Sequence, residues 1–147
     1  MSQTEIVYHE LTESTLTKTT ECDVNRLLPQ LAPYAEHCTE ERLREILRSN
    51  TRIFTALDGD QIVGVVLVCS VQILVGQKNW IEDLVVDQAY RGRGIASRLL
   101  DMAENAAKEG GAQDVNLTSN RARVTARQMY QKRGYQVRDS DLFRKTF

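Results

Sequence analysis

The sequence predicts a mixed α/β sheet domain, and three observations carry that prediction. Short apolar runs of strand length alternate with segments in which apolar residues recur at helical spacing. The 147 residues, 41 % hydrophobic and 27 % charged, suit one globular domain, 1–147, with a sizeable core. The third observation is a junction. The apolar run Trp80-Ile81-Glu82-Asp83-Leu84-Val85-Val86 passes through Asp87-Gln88-Ala89-Tyr90 into Arg91-Gly92-Arg93-Gly94-Ile95-Ala96-Ser97, where a helical pattern begins.

Each element follows from its residues. Ile6 to Leu11 predicts a short first strand, and the Thr/Ser-rich piece Thr12 to Thr20 a loop. Val24, Leu27, Leu28 and Leu31 share a helical face, while Pro29 and Pro33 confine that helix to a short or kinked one. Thr39 is placed to cap a second helix, Glu40 and Glu41 suit its positive end, and Leu43, Ile46 and Leu47 form its apolar stripe. Arg52 to Leu57 and Gln61 to Ser70 are strand-like runs joined by Asp58-Gly59-Asp60, a turn that tolerates positive φ, so they predict a hairpin. Val71 to Asn79 either extends that hairpin or lies over a cleft. After the central strand, Ile95, Leu99, Met102 and Ala106 line one side of a helix and Arg98, Asp101, Asn105 and Lys108 the other, until Gly110-Gly111 stops it. Asp114 to Thr118 predicts a further strand, Arg121 to Arg133 a helix closed by Gly134, and Tyr135 to Arg138 and Leu142 to Phe147 two last strands.

Composition removes several function classes. A net charge of −1 gives no global basicity for nucleic acid. No apolar run approaches the length of a membrane span, and the polar start Met1-Ser2-Gln3-Thr4-Glu5 is not a signal peptide. Cys22, Cys38 and Cys69 are odd in number and lack metal-ligand spacing, so reduced thiols in a cytoplasmic protein and no metal are expected, with Cys69 in the core. His9 and His37 lie far from the junction, and no Ser/His/Asp order assembles around them.

The junction has a chemical use. The first N–H groups of a helix lack intrahelical partners and the dipole adds partial positive charge, so phosphate is attracted there. Gly92, Gly94 and the small Ala96 let a pyrophosphate approach the amides of residues 92 to 97, with Arg91 and Arg93 beside it; a turn that needs glycines only for geometry is the alternative. There is no Gly-Lys-Ser/Thr ending and no G-x-G-x-x-G with a following acidic residue, which sets aside two common nucleotide loops. In the central strand, Glu82 and Asp83 are carboxylates among apolar neighbours, where a charge must be paired or used. Strict alternation would send them to opposite faces.

Arg91-x-x-Gly94-x-Ala96, following an apolar strand and opening an amphipathic helix, resembles the acyl-CoA motif Q/R-x-x-G-x-G/A of the GNAT superfamily of acetyl-CoA-dependent N-acetyltransferases. Ala126-x-x-x-Tyr130-x-x-x-Gly134-Tyr135 resembles that family's A-x-x-x-Y-x-x-x-G-F/Y signature. The resemblance covers the chain from about Ile53 onward. It implies a mostly antiparallel sheet flanked by helices, with central strands that splay to admit acetyl-CoA as co-substrate, and no metal. Leu84, Val85 and Val86 would meet the pantetheine arm, and Arg91, Gly92, Arg93, Gly94, Ile95, Ala96 and Ser97 the pyrophosphate. Ala126 and Tyr130 would also lie on the cofactor. The family's usual asparagine three residues before the alanine is Arg123 here, so Asn120 or Arg123 would take over its contact.

By the same resemblance Tyr130 falls at the general-acid position and would protonate the departing thiolate. An alkylamine is mostly protonated at neutral pH, so a base is needed. Glu82 is the preferred one, directly or through water, and Asp83 would hold the acceptor or orient a loop. The implied reaction is direct attack of a primary amine on the thioester in a ternary complex. A small amine or a protein amino group would be the acceptor, the two N-terminal helices and their loop would set its identity, and a homodimer through the C-terminal strands is compatible with the family. A non-catalytic acyl-CoA-binding sensor is the alternative; it would not need Glu82 or Tyr130.

Overall fold

The computed structural model describes residues 3–147. Met1 and Ser2, the beginning of the polar start, lie outside the described residues. The backbone forms two compact units, Met1–Leu117 and Thr118–Phe147.

The first unit is built on β1 (Ile6–Leu11), β2 (Thr51–Asp58), β3 (Gln61–Ile73) and β4 (Gly76–Val86), which lie side by side in that order and are antiparallel throughout. The expected β2–β3 hairpin turns at Gly59, whose φ is 59°. The β3–β4 ladder runs on until Ile73 faces Gly76, so Val71 to Asn79 extends the hairpin. Helices α1 (Lys18–Leu31) and α2 (Glu40–Arg48) pack on one face, where Leu11, Val24, Leu27, Leu43, Ile53, Ile62, Val65 and Val85 form a single buried cluster. Helix α3 (Ile95–Glu109) packs on the other face. There a Cβ added to Gly64 would come 3.1 Å from Leu99 Cδ1, so this strand glycine is what lets the helix approach. Phe54, Ala56 and Val66 share that face by alternation and are buried. Leu99 and Leu100 are fully buried. Burial of that kind contributes roughly 1.5–3 kcal/mol per side chain.

The helix ends show where composition misleads. Thr17 and Thr20 form a reciprocal capping box, so α1 starts inside the stretch expected to be loop. Pro29 stands in its last turn, where it removes one donor, and the helix ends at Leu31. Helix α2 begins as expected, with Thr39 Oγ1 accepting the Arg42 N–H at 3.1 Å.

The strand expected at Asp114 to Thr118 is reduced to one parallel bridge between Trp80 and Asn116. Ile81 N–H donates to Asn116 O and Asn116 N–H to Asn79 O, each at 2.8 Å. The buried Asn79 side chain then takes the Asp114 carbonyl at 3.1 Å, so a side chain holds this segment where a ladder was expected. Beyond Ile81, among the described residues, no strand pairs with the outer edge of β4.

In the second unit, α4 (Val124–Lys132) is shorter than the expected 121–133. Asn120 accepts the N–H groups of Ala122 and Arg123 at 2.9 and 3.0 Å, a turn that delays the helix. Gly134, at φ 93°, closes it: Gly134 N–H reaches Gln131 O at 3.1 Å and Tyr135 N–H reaches Tyr130 O at 3.0 Å, a Schellman cap. The two last strands expected at 135–138 and 142–147 are not formed. A lone strand pair is marginal in water, and the unit offers no third strand to extend it. Val137, Leu142, Phe143 and Phe147 are exposed accordingly.

Candidate active site

β4 carries a bulge at its two carboxylates. Val65 faces Val85 and Leu67 faces Glu82, so the single residue Val66 opposes both Asp83 and Leu84. Asp83 absorbs the extra length at φ 53° and, among the described residues, is the one non-glycine with positive φ. The alternation expected from sequence is thereby broken. Glu82 and Asp83 are both exposed, while Ile81, Val85 and Val86 on either side are buried and Leu84 is partly so.

Among the described residues no cation forms an ion pair with either carboxylate, and their proton affinities reflect that. Desolvation by the surrounding protein raises the Glu82 pKa above the usual carboxylate value, and the neighbouring Asp83 charge adds to the rise. Asp83 is raised by desolvation. Such groups hold protons more readily than ordinary surface acids, which is the shift a proton acceptor near neutral pH needs.

Immediately after β4 comes the glycine loop. Arg91 donates Nε to the Val86 carbonyl at 3.1 Å, which seats its guanidinium at the strand end. Gly92 and Gly94 have φ of 77° and 75°, and a Cβ built at either meets nothing within 4 Å. These glycines therefore serve backbone conformation and open space, not packing. Gly94 is exposed, is the N-cap of α3 and has no side chain to cap it, so the amides that open the helix meet no competing side-chain acceptor from the cap residue. Arg93 lies over the Tyr90 ring at 5.4 Å and donates to the Thr4 carbonyl at 3.0 Å; Arg98 lies over the Tyr8 ring at 5.8 Å.

Helix α1 fixes this loop from behind. Arg26 forms an ion pair with Asp87 and donates to the Ile62 carbonyl at 2.6 Å. Asp23 Oδ2 accepts the Ile62 N–H at 2.9 Å, and Gln30 Oε1 accepts the Gln88 N–H at 2.8 Å. The sequence reading missed Arg26 and Asp87 as positioning residues, because a single arginine on an amphipathic helix carries no pattern.

The α1–α2 loop is fastened by Glu21. Its carboxylate accepts from His37 Nε2 and Lys18 Nζ, each at 2.9 Å, and from the Glu40 N–H at 2.7 Å. The hydrogen bond with His37, then those with Lys18 and the Glu40 amide, hold the Glu21 pKa down at about 2. Asn25 clamps Cys38 by accepting its N–H at 2.8 Å and donating to its carbonyl at 2.7 Å. Burial pushes the Cys38 thiol pKa up, the Arg42 charge opposes that rise, and the Glu21 and Asp83 charges add to it.

In the second unit, Asn120 is occupied in the turn before α4, and Arg123 is the N-cap residue without a side-chain cap bond. Ala126 is partly buried. Tyr130 meets the Tyr135 ring edge-on at 5.7 Å; burial raises its phenol pKa and Arg123 partly offsets that. Glu82 and Leu84–Val86 lie on β4 and Arg91–Ser97 follow it, all in the first unit, and Asn120, Arg123, Ala126 and Tyr130 belong to the second.

Among the described residues, no group of three or more His, Cys, Asp or Glu could hold a metal ion, and no helix is long and apolar enough to cross a membrane.

A family model described as acetyltransferase (GNAT) family matches residues 11–135. The chain is 33 % identical over 93 residues to an aminoalkylphosphonate N-acetyltransferase of Salmonella typhimurium, an alignment covering 61 % of this chain and 60 % of that protein. It is 31 % identical over 84 residues to N-alpha-acetyltransferase 30 of Schizosaccharomyces pombe, covering 56 % and 55 %. The chain thus spans less than two thirds of the length of these curated relatives. In three dimensions it resembles an aminoglycoside acetyltransferase from an uncultured soil metagenomic sample, with a TM-score of 0.82, 21 % identity and coverage of 97 % and 96 %. At that identity the likeness is one of fold.

Proposed function

The chain belongs to the acetyltransferase (GNAT) family, and on that premise we propose that it is an N-acetyltransferase moving the acetyl group of acetyl-CoA to a primary amine. The observation that carries the reading is the open, left-handed glycine loop at the start of α3, directly after the unpaired edge of β4. Acetyl-CoA is the co-substrate that this family uses. A pyrophosphate fits a loop whose glycines leave room for it, and the pantetheine arm would run along Leu84, Val85 and Val86. Arg91 would add charge-assisted bonds. Asn120 or Arg123, with Ala126, would complete the cofactor contacts, both units being parts of one domain, 1–147.

In the reaction, Glu82 takes a proton from the acceptor ammonium, directly or through water, and the freed nitrogen attacks the thioester carbonyl carbon. The C–N bond forms and the C–S bond breaks. A second proton leaves nitrogen as the amide forms, and the sulfur leaves as the thiol, protonated by the Tyr130 phenol, which is then reprotonated. A small amine or a protein amino group serves as acceptor in a cytoplasmic setting. The C-terminal strands through which a homodimer would be compatible with the family are not formed, so the fold adds no support for one.

The test is calorimetric titration of acetyl-CoA at two salt concentrations, followed by assay of thiol release with a panel of amines. Saturable binding with thiol release for one amine class is the expected result. Binding without release for any amine would favour a sensor, and no binding would sink the reading of the glycine loop.

A further inference from the structure

Three amides of the glycine loop, those of Gly92, Arg93 and Gly94, find no hydrogen-bond partner among the described residues. They are open to phosphate, and the loop takes its shape from something other than backbone bonds of its own. Side chains supply it. The Tyr90 hydroxyl, one residue before Arg91, donates to Asp58 Oδ2 at the β2–β3 turn. A phenol bonded to a carboxylate is a charge-assisted contact, and that bond, ahead of burial, raises the Tyr90 pKa and keeps the hydroxyl a donor. Arg93 then lies over the Tyr90 ring at 5.4 Å and donates to the Thr4 carbonyl at 3.0 Å. Both anchors stand at one corner of the sheet, because Asp58 faces Ile6 in the β1–β2 register, two residues after Thr4. The loop thus leaves its tether at residue 90 and meets it again at residue 93, with Gly92 at φ 77° between.

We infer, on the acetyltransferase reading above, that Tyr90 is a positioning residue for the acyl donor: fixed to Asp58 by its hydroxyl and stacked against Arg93 by its ring, it sets the spacing of the amides that hold the acetyl-CoA pyrophosphate. In this role Tyr90 touches no substrate. Arg93 works on the shape of the loop, and the charge for phosphate falls to Arg91, which is exposed at the end of β4. The loop meets only the phosphate part of the donor. A fault in its shape is therefore felt by acetyl-CoA and not by S-acetylpantetheine, which carries the same thioester and arm and no phosphate.

The experiment measures kcat and KM for both donors with the best acceptor of the amine panel, and acetyl-CoA affinity by calorimetry, in Tyr90→Phe, Asp58→Ala and the double variant. Tyr90→Phe keeps the ring under Arg93 and removes only the anchor. Each single variant should raise the KM for acetyl-CoA and weaken its binding about tenfold, the scale of one hydrogen bond to a charged group, with kcat unchanged. For S-acetylpantetheine kcat/KM should stay within about twofold of wild type, and the double variant should be no worse than either single one, because the two side chains act through one bond. Asp58→Asn, which still offers an acceptor oxygen, should recover part of the loss. Equal losses on the two donors, an unchanged acetyl-CoA KM in Tyr90→Phe, or additive losses in the double variant each overturn the assignment while wild-type turnover leaves the acetyltransferase reading standing. A wild-type protein that neither binds acetyl-CoA nor releases thiol from either donor would overturn that underlying reading, and the assignment with it.

Discussion

Arg26 of α1 and Asp87 at the end of β4 form an ion pair across 61 residues of sequence, with side chains only 34 % and 14 % exposed. This contact ties the helix that borders the α1–α2 loop to the residue from which the glycine loop departs. Asp87 also accepts the Ala89 N–H at 3.0 Å through its other oxygen, so one carboxylate sets both the position and the first turn of the loop. Asp87→Asn keeps the local turn but leaves the half-buried guanidinium without its counter-charge. A loss of about 1–3 kcal/mol in urea unfolding is expected, together with weaker acetyl-CoA binding. Wild-type values for both would show that the pair positions nothing.

At Gly94 two substitutions separate conformation from occupancy. The left-handed φ of 75° makes Gly94→Ala cost about 1 kcal/mol, yet its Cβ would meet no atom within 4 Å, so the protein should fold. Gly94→Glu adds a negative charge where phosphate is proposed to lie and should reduce acetyl-CoA affinity beyond calorimetric detection without unfolding the chain. Retained affinity in the glutamate variant would remove the phosphate assignment.

Gly64 tests the seating of α3. An added Cβ would stand 3.1 Å from Leu99 Cδ1 and 3.3 Å from Ile95 Cγ2, against a helix that begins one residue after Gly94. Gly64→Ala should therefore destabilise by about 1–2 kcal/mol, the range of mild overpacking, and should weaken acetyl-CoA binding by shifting the helix start. Chemical denaturation and calorimetry on the same preparation read the two effects.

Acid lability should trace to Glu21. Its folded-state pKa of about 2 lies below its ordinary value of 4.5, so its contribution to stability is complete above pH 4.5 and disappears as pH falls towards 2. Thermal melting across that interval should show a decline that Glu21→Gln flattens, with a lower melting temperature already at neutral pH. Parallel declines in both proteins would assign the acid sensitivity elsewhere.

The two proposed proton carriers give distinct signatures. Tyr130→Phe should lower kcat by tenfold or more with acetyl-CoA affinity retained. Glu82→Gln should lower kcat/KM by about a hundredfold, the scale of a positioned general base. The acid limb of the wild-type kcat/KM profile should fall above pH 4.5, because burial and then Asp83 raise the Glu82 pKa from that value. Asp83→Asn should move this limb to lower pH. A limb unmoved in Asp83→Asn, or intact turnover in Tyr130→Phe, would demote the respective residue.

How much of this could be read in the letters depends on the range of the interaction. Strands β2 and β3 and the start of α2 were legible because each is announced locally, by an Asp-Gly turn, a β-branched run or a capping threonine. The glycine loop was legible too, since left-handed backbone demands a residue type visible in the sequence. The start of α1 was missed even though Thr17 and Thr20 stand three apart, because the threonine-rich surroundings mask a box that only geometry distinguishes. The exposure of Glu82 and Asp83 was misjudged for a different reason. Alternation fixes faces only while the ladder is regular, and nothing in Ile81-Glu82-Asp83-Leu84 marks where an extra residue enters. Likewise the apolar letters of 135–147 satisfy strand propensity but have no third strand in their own unit to extend the pairing.

That extra residue also acts as a change of phase in the strand. On either side of it β4 keeps step with β3, Ile81 with Val68 and Val85 with Val65, so the core is indifferent to what the bulge displays. The pair at 82 and 83 can therefore be rewritten without retuning the sheet, provided position 83 still accepts a left-handed backbone, which favours glycine, asparagine, aspartate and histidine. Of those only aspartate is negatively charged. Within that alphabet, an exchange at this position is a choice between keeping a negative charge at the bulge and losing it.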